Sequence, residues 1–171
     1  MSPALEHSAA DEAVVSAQLG RSLRGRWSVA RRCHLGVPMA IENHPVLEDG
    51  APFPTLYWLT CPLLLKRVSG LESRGDMAEL NRRLAGDASL SARLTGSLER
   101  LQSRRDQHAV IEDAGAPPGG GPDKVKCLHA HVAQELAQPG NPVGALTLSG
   151  TGWPDCRQAC IEVTNDAGTR E

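Results

Sequence analysis

The chain has 171 residues, 40% of them hydrophobic and 22% charged, and a net charge of −2. These proportions exclude a fully disordered chain and fit one domain of ordinary size with tails. The near-neutral charge also speaks against a dedicated nucleic-acid binder, whose domain is usually strongly basic.

Residues 1–25 read as a variable tail in which a short helix around Asp11–Leu19 has little to anchor it. They hold no apolar stretch of signal-peptide length, so the expected location is cytoplasmic. Residues 26–145 are expected to form one globular domain. Trp27–Cys33 and Val37–Asn43, punctuated by Gly36 and Pro38, predict a β-hairpin. Phe53–Thr60 has the β-branched and aromatic content of a buried strand, with Pro54 near its start. The apolar run Thr55–Leu65 is interrupted by Pro62 and is too short for a membrane span, which takes about 20 residues.

Cys61-Pro62 predicts a helix start, with proline at the first helical position and Cys61 at the N-cap. Leu64, Val68 and Leu71 then recur at helical spacing as far as Gly75. Asp76 and Glu79 have the spacing of a capping box for a second helix carrying Met77, Leu80 and Leu84. After Gly86-Asp87, the stripe Leu90, Leu94, Leu98 and Leu101 predicts a third. Gly115–Asp123 reads as an irregular loop. Leu128, Val132 and Leu136 share one face of a fourth helix, stopped by Pro139-Gly140, and Asn141–Gly144 reads as a turn. Residues 146–171 are expected to be weakly structured, with a short helix over Pro154–Ile161. The sum is an α+β fold, a mostly helical single domain with a small antiparallel sheet or hairpin.

Three strings are distinctive: Pro52–Pro62 (PFPTLYWLTCP), Val125–His131 (VKCLHAH) and Asn141–Gly144 (NPVG). With Arg32-Cys33 before Gly36 and Asp49-Gly50 before the first string, residues 27–145 resemble the bacterial domain-of-unknown-function family numbered five hundred and one. The resemblance implies a bacterial protein, mostly of high-GC Gram-positive origin, and implies no particular reaction. It also implies gene neighbours of the septum-formation-initiator and exopolyphosphatase-like kinds. That association makes a cell-division protein one expected partner.

Five cysteines, an odd number, in a chain expected in a reducing compartment argue against a disulfide framework. They favour buried thiols, a metal site or a reactive thiol. Cys61 and Cys127 each fall at an expected helix start, where unpaired N–H groups and the positive dipole end favour a thiolate. If Cys127 is itself helical, His131 lies about 40° from it around the axis, whereas His129 and His131 diverge by about 200°. The expected metal set is therefore Cys33, Cys61, Cys127 and His131, a three-thiolate, one-imidazole zinc-type site. Without a metal, Cys61 or Cys127 is the candidate nucleophile, with His129 or His131 as its base. Cys156 and Cys160, four apart in the tail, read as incidental thiols able to bind a metal or pair with each other.

Gly120, Gly121, Lys124 and Lys126 lead into the Cys127 helix and form a candidate seat for an anionic small molecule. No Gly-Lys-Ser/Thr closes that loop, so it is not a P-loop. Arg93, Arg100 and Arg104 line one helical side and read as a solvated face. Three functions are compatible with these features. They are an enzyme or sensor with a thiolate or zinc-type site, a non-catalytic adaptor of cell division or envelope growth, and a phosphate- or polyphosphate-binding module.

Overall fold

The computed structural model describes residues 5–112 and 115–161. Gly36, at a φ of 77°, turns the chain between β1 (Trp27–Arg32) and β2 (Pro38–Asn43), which pair antiparallel with a bulge around Ala30. β3 (Tyr57–Leu59) adds to the far side of β2, giving the order β1-β2-β3. β3 is shorter than the Phe53–Thr60 run predicts. Pro54 withholds an N–H, and the amide of Phe53 is drawn to the Pro45 carbonyl instead of a strand partner. As the central strand, β2 is buried at every position, and Pro38 occupies its first residue.

Helix α2 (Pro62–Ser73) starts as the sequence predicts, with Cys61 at the N-cap and proline at the first position. α3 (Asp76–Gly86) departs from the expected capping box. Its N-cap is Gly75, whose φ of 91° suits glycine, and Asp76 is already inside the first turn. α4 (Ala88–Asp106) is capped by the Asp87 side chain and buries Leu90, Leu94 and Leu98. Gly120–Gly121 (β4), inside the expected irregular loop, pairs with Lys124–Val125 (β5) just beyond it as a small ribbon.

α5 (Leu128–Ala137) packs between the sheet and α6 (Pro142–Gly150), and its buried residues extend well round the helix. The expected turn at Asn141–Gly144 is instead the start of α6. Asn141 Oδ1 accepts from the amides of Val143 and Gly144, and Pro142 occupies the first turn. α6 carries regular structure to Gly150, past the boundary expected at 145. No helix forms over 154–161, and residues 162–171 lie outside the described part.

The main core gathers leucines and valines of α2 to α6 with Met39, Leu56 and Leu59. A smaller cluster joins Val15 of helix α1 (Ala9–Leu19) to Trp27 and Ile41, so the expected tail does hold an anchored helix. Buried Glu42 on β2 receives Arg104 through two hydrogen bonds, of 2.7 and 3.2 Å, and lies 2.6 Å from His108 Nε2. Arg104 thus leaves the solvated face to which its spacing assigned it. The fold is α+β, and among the described residues no helix is long and apolar enough to cross a membrane.

Candidate functional site

The face of α2 that meets the start of α5 carries Leu65, Ser69 and Glu72, a stripe at i, i+4 and i+7. Cys127 is the N-cap of α5, with extended backbone at φ −152° and ψ 114°, and His129 sits in the first turn. Cys127 Sγ lies 4.0 Å from His129 Nδ1, and Glu72 Oε1 lies 3.4 Å from the same nitrogen. Glu72 Oε1 also accepts the Leu128 amide at 2.7 Å, so this carboxylate fills the anion position at the α5 N-terminus. One ligand atom each from Glu72, Cys127 and His129 all lie within 4.8 Å of one another. The three residues are half-buried, with about a quarter of the His129 and Glu72 side chains exposed (23% and 27%).

The far side of the imidazole fixes its protonation. His129 Nε2 is 3.1 Å from the Leu65 carbonyl, which can only accept, so Nε2 carries a hydrogen. Ser69 Oγ lies 3.2 Å from the same nitrogen and donates to the same carbonyl at 2.8 Å. Nδ1 is thereby turned toward the thiol and the carboxylate. The imidazole contact holds the Cys127 thiol below its usual range, against the opposing effect of burial. His129 is pushed up to about 9, chiefly by Cys127, with the Leu65 carbonyl and Glu72 adding to the effect. Three electron-pair donors converge here. These are the residues that could hold a cation.

His131 is placed elsewhere. It is 1% exposed. Its Nε2 donates to the Gly119 carbonyl at 3.0 Å, and its Nδ1 accepts from Asn141 Nδ2 at 2.9 Å. Asn141 Nδ2 also donates to Gln134 Oε1 at 2.7 Å, and Gln134 Nε2 donates to Ser97 on α4. Burial pushes the His131 pKa down, so this ring is neutral and structural. The expectation that His131 would share a side with Cys127 fails because Cys127 is not helical. The 100° step per residue begins only at Leu128, and the extended N-cap turns the thiol back over the first turn, toward His129.

Cys33 and Cys61 fall outside the Glu72, Cys127 and His129 group. Cys33 is in the β1–β2 turn and Cys61 is buried at the α2 start, where desolvation pushes its thiol up. Among the described residues, Cys33, Cys61, Cys127 and His131 do not gather into a group of converging ligand atoms, and Cys33 and Cys61 line a different cavity. The expected anion seat is already in use. The Val125 amide goes to Asn81 Oδ1, the Lys126 amide to the Gly119 carbonyl and the Leu128 amide to Glu72. Lys124 and Lys126 point outward as exposed side chains, and Gly120 and Gly121 serve the ribbon. The PFPTLYW and VKCLHAH strings do meet, but at an apolar cavity lined by Pro54, Leu56, Tyr57, Gly119, His131 and Gln134.

Glu72 is the residue that sequence reasoning missed. Its signal was the stripe Leu65, Ser69, Glu72, which flanks the buried Leu64, Val68, Leu71 face and puts a carboxylate on the side of α2 that α5 approaches.

A family model described as Protein of unknown function (DUF501) matches residues 29–149. No curated protein matches the chain, and no solved structure does.

Proposed function

The chain belongs to that family of unknown function, and from this premise we propose that its working centre is Glu72, Cys127 and His129, a seat for one thiophilic divalent cation of the zinc class. The observation that carries the reading is the convergence of a carboxylate oxygen, a thiol sulfur and the Nδ1 of an imidazole within 4.8 Å. These are the donor types zinc takes, and the Leu65 carbonyl on Nε2 is the outer partner that orients a ligating histidine. The start of α5 favours the thiolate that coordination requires. Three protein ligands at a part-exposed position leave a fourth site for water or substrate, which is the pattern of a reactive centre rather than a closed structural one.

Cobalt(II) titration of the full chain tests this. The expected result is a sulfur-to-cobalt charge-transfer absorption that saturates at about one equivalent. It should vanish in Cys127→Ser and His129→Ala and weaken in Glu72→Gln. Equal cobalt uptake by all four proteins contradicts the reading. The same residues support a second reading, a metal-free thiolate–imidazolium pair acting as a nucleophile. Its 4.0 Å sulfur-to-nitrogen approach is the observation that favours it. No cobalt uptake, together with rapid Cys127 alkylation at neutral pH that slows in His129→Ala, selects that reading instead.

A further inference from the structure

A second group of thiols gathers away from the Glu72–Cys127–His129 centre. Cys33 from the β1–β2 turn, Cys61 at the start of α2, and Cys156 and Cys160 from the segment after α6 line one small, mostly apolar cavity. All are free thiols. Residues 152–161 have no helix or strand, yet the segment is fastened over this cavity. Arg67 donates to both Asp155 carboxylate oxygens, at 2.9 and 2.8 Å, and to the Thr151 carbonyl at 3.1 Å. His34 Nε2 donates to the Cys156 carbonyl at 2.9 Å, and Gln18 Nε2 approaches Cys160 Sγ at 3.8 Å.

We propose that Cys160 and Cys61 form a peroxide-responsive disulfide that locks the 151–161 segment onto the domain. The two thiols differ in the way such a pair requires. Cys160 is exposed and meets an oxidant first, whereas Cys61 is 6% exposed and shielded from it. The Cys160 thiolate attacks one oxygen of hydrogen peroxide. The O–O bond breaks, the sulfur becomes a sulfenic acid and hydroxide leaves. Cys61 sulfur then attacks the Cys160 sulfur. The S–S bond forms, and the departing hydroxyl takes the Cys61 proton and leaves as water. Two thiols are oxidised and one peroxide is reduced to water. Without helix or strand at Cys160, the backbone there can adjust to the narrow geometry a disulfide demands more readily than a residue inside a packed helix can. Burial chiefly pushes the Cys61 thiol up, with Cys160 and then Cys156 adding to the effect.

The test uses the full reduced chain, treated with a few equivalents of hydrogen peroxide and then blocked with N-ethylmaleimide. Digestion without reductant and mass spectrometry then identify linked peptides. The expected result is loss of two of the five thiols, a Cys61–Cys160 linked pair and full reversal by dithiothreitol. The pair should be missing in Cys160→Ser, a substitution at an exposed position that leaves the core untouched. A Cys156–Cys160 link within the segment, links between chains only, or oxidation confined to Cys127 would overturn the proposal. So would a metal ion retained by these four thiols in Cys127→Ser that blocks their oxidation. Because Cys127 takes no part, this outcome is independent of cobalt uptake at the other centre.

Discussion

At the scale of single residues, Cys127 and His129 control each other's charge. In metal-free protein the imidazole holds the Cys127 thiol below its usual range, so the thiolate persists on the acid side of an ordinary thiol. The sign is that of a depressed acid, with reactivity gained at lower pH rather than lost. His129, pushed up to about 9, supplies the positive charge and withdraws it as pH rises through that value. Iodoacetamide alkylation of Cys127 followed against pH therefore has its rise displaced to lower pH, and His129→Ala moves it back up. Each pH unit of displacement changes the thiolate fraction at neutral pH by about tenfold. An unchanged profile in His129→Ala would break the pairing. The sequence pointed to cysteine and histidine in the VKCLHAH string but not to which histidine faces Cys127. His129 and His131 are distinguished by one fact, the extended backbone of Cys127, which simple rotation from an assumed helical Cys127 leaves out. Glu72 was harder to see, because its contact with Leu128 spans 56 residues of chain.

At the scale of elements, the close approach of α5 and α6 depends on Gly144. A Cβ there would run into the His131 carbonyl and the Glu135 side chain. Gly144→Ala should therefore lower stability by about 1–3 kcal/mol, read as a shift in the urea midpoint with little change of slope. No shift would mean that the two helices have room to part. The same junction explains why NPVG read as a turn. Asn and Pro favour turns and helix starts alike, and the residues after them decide between the two. Here Val143 and Thr147 find a buried face against α5. Helices with evenly spaced leucines, α2 to α5, were legible because burial of a periodic stripe is a local property. β4 and β5 were not, since two-residue strands carry no periodicity, and their pairing depends on Gly120 adopting a φ of 100°.

For the whole molecule, the sheet and helices are joined by one buried charge as well as by the leucine core. Glu42, 9% exposed in its side chain, faces Arg104 near the end of α4 and His108 just beyond it. Glu42→Ala removes the carboxylate that both bases face and should cost about 3–5 kcal/mol, measured by chemical denaturation. A loss below about 1 kcal/mol would show that the pair behaves as a surface bridge. This link could not be read from Arg104 alone, which shares a helical side with Arg93 and Arg100, because it depends on where β2 places Glu42. Architecture was the most legible level. Hairpin, amphipathic helices and fold class all arise from patterning, while the grouping of cysteines required the tertiary path. That path sends Cys127 to α2 and leaves Cys33 and Cys61 with the segment after α6.

The central claim is that Glu72, Cys127 and His129 hold one metal ion, and elemental analysis of the purified full chain after dialysis against zinc tests it most directly. About one zinc per chain is expected, falling at least about tenfold in Cys127→Ser and in His129→Ala. The Cys33→Ser, Cys61→Ser double variant should retain it. Zinc that depends on Cys33 and Cys61 while remaining in Cys127→Ser would contradict the account.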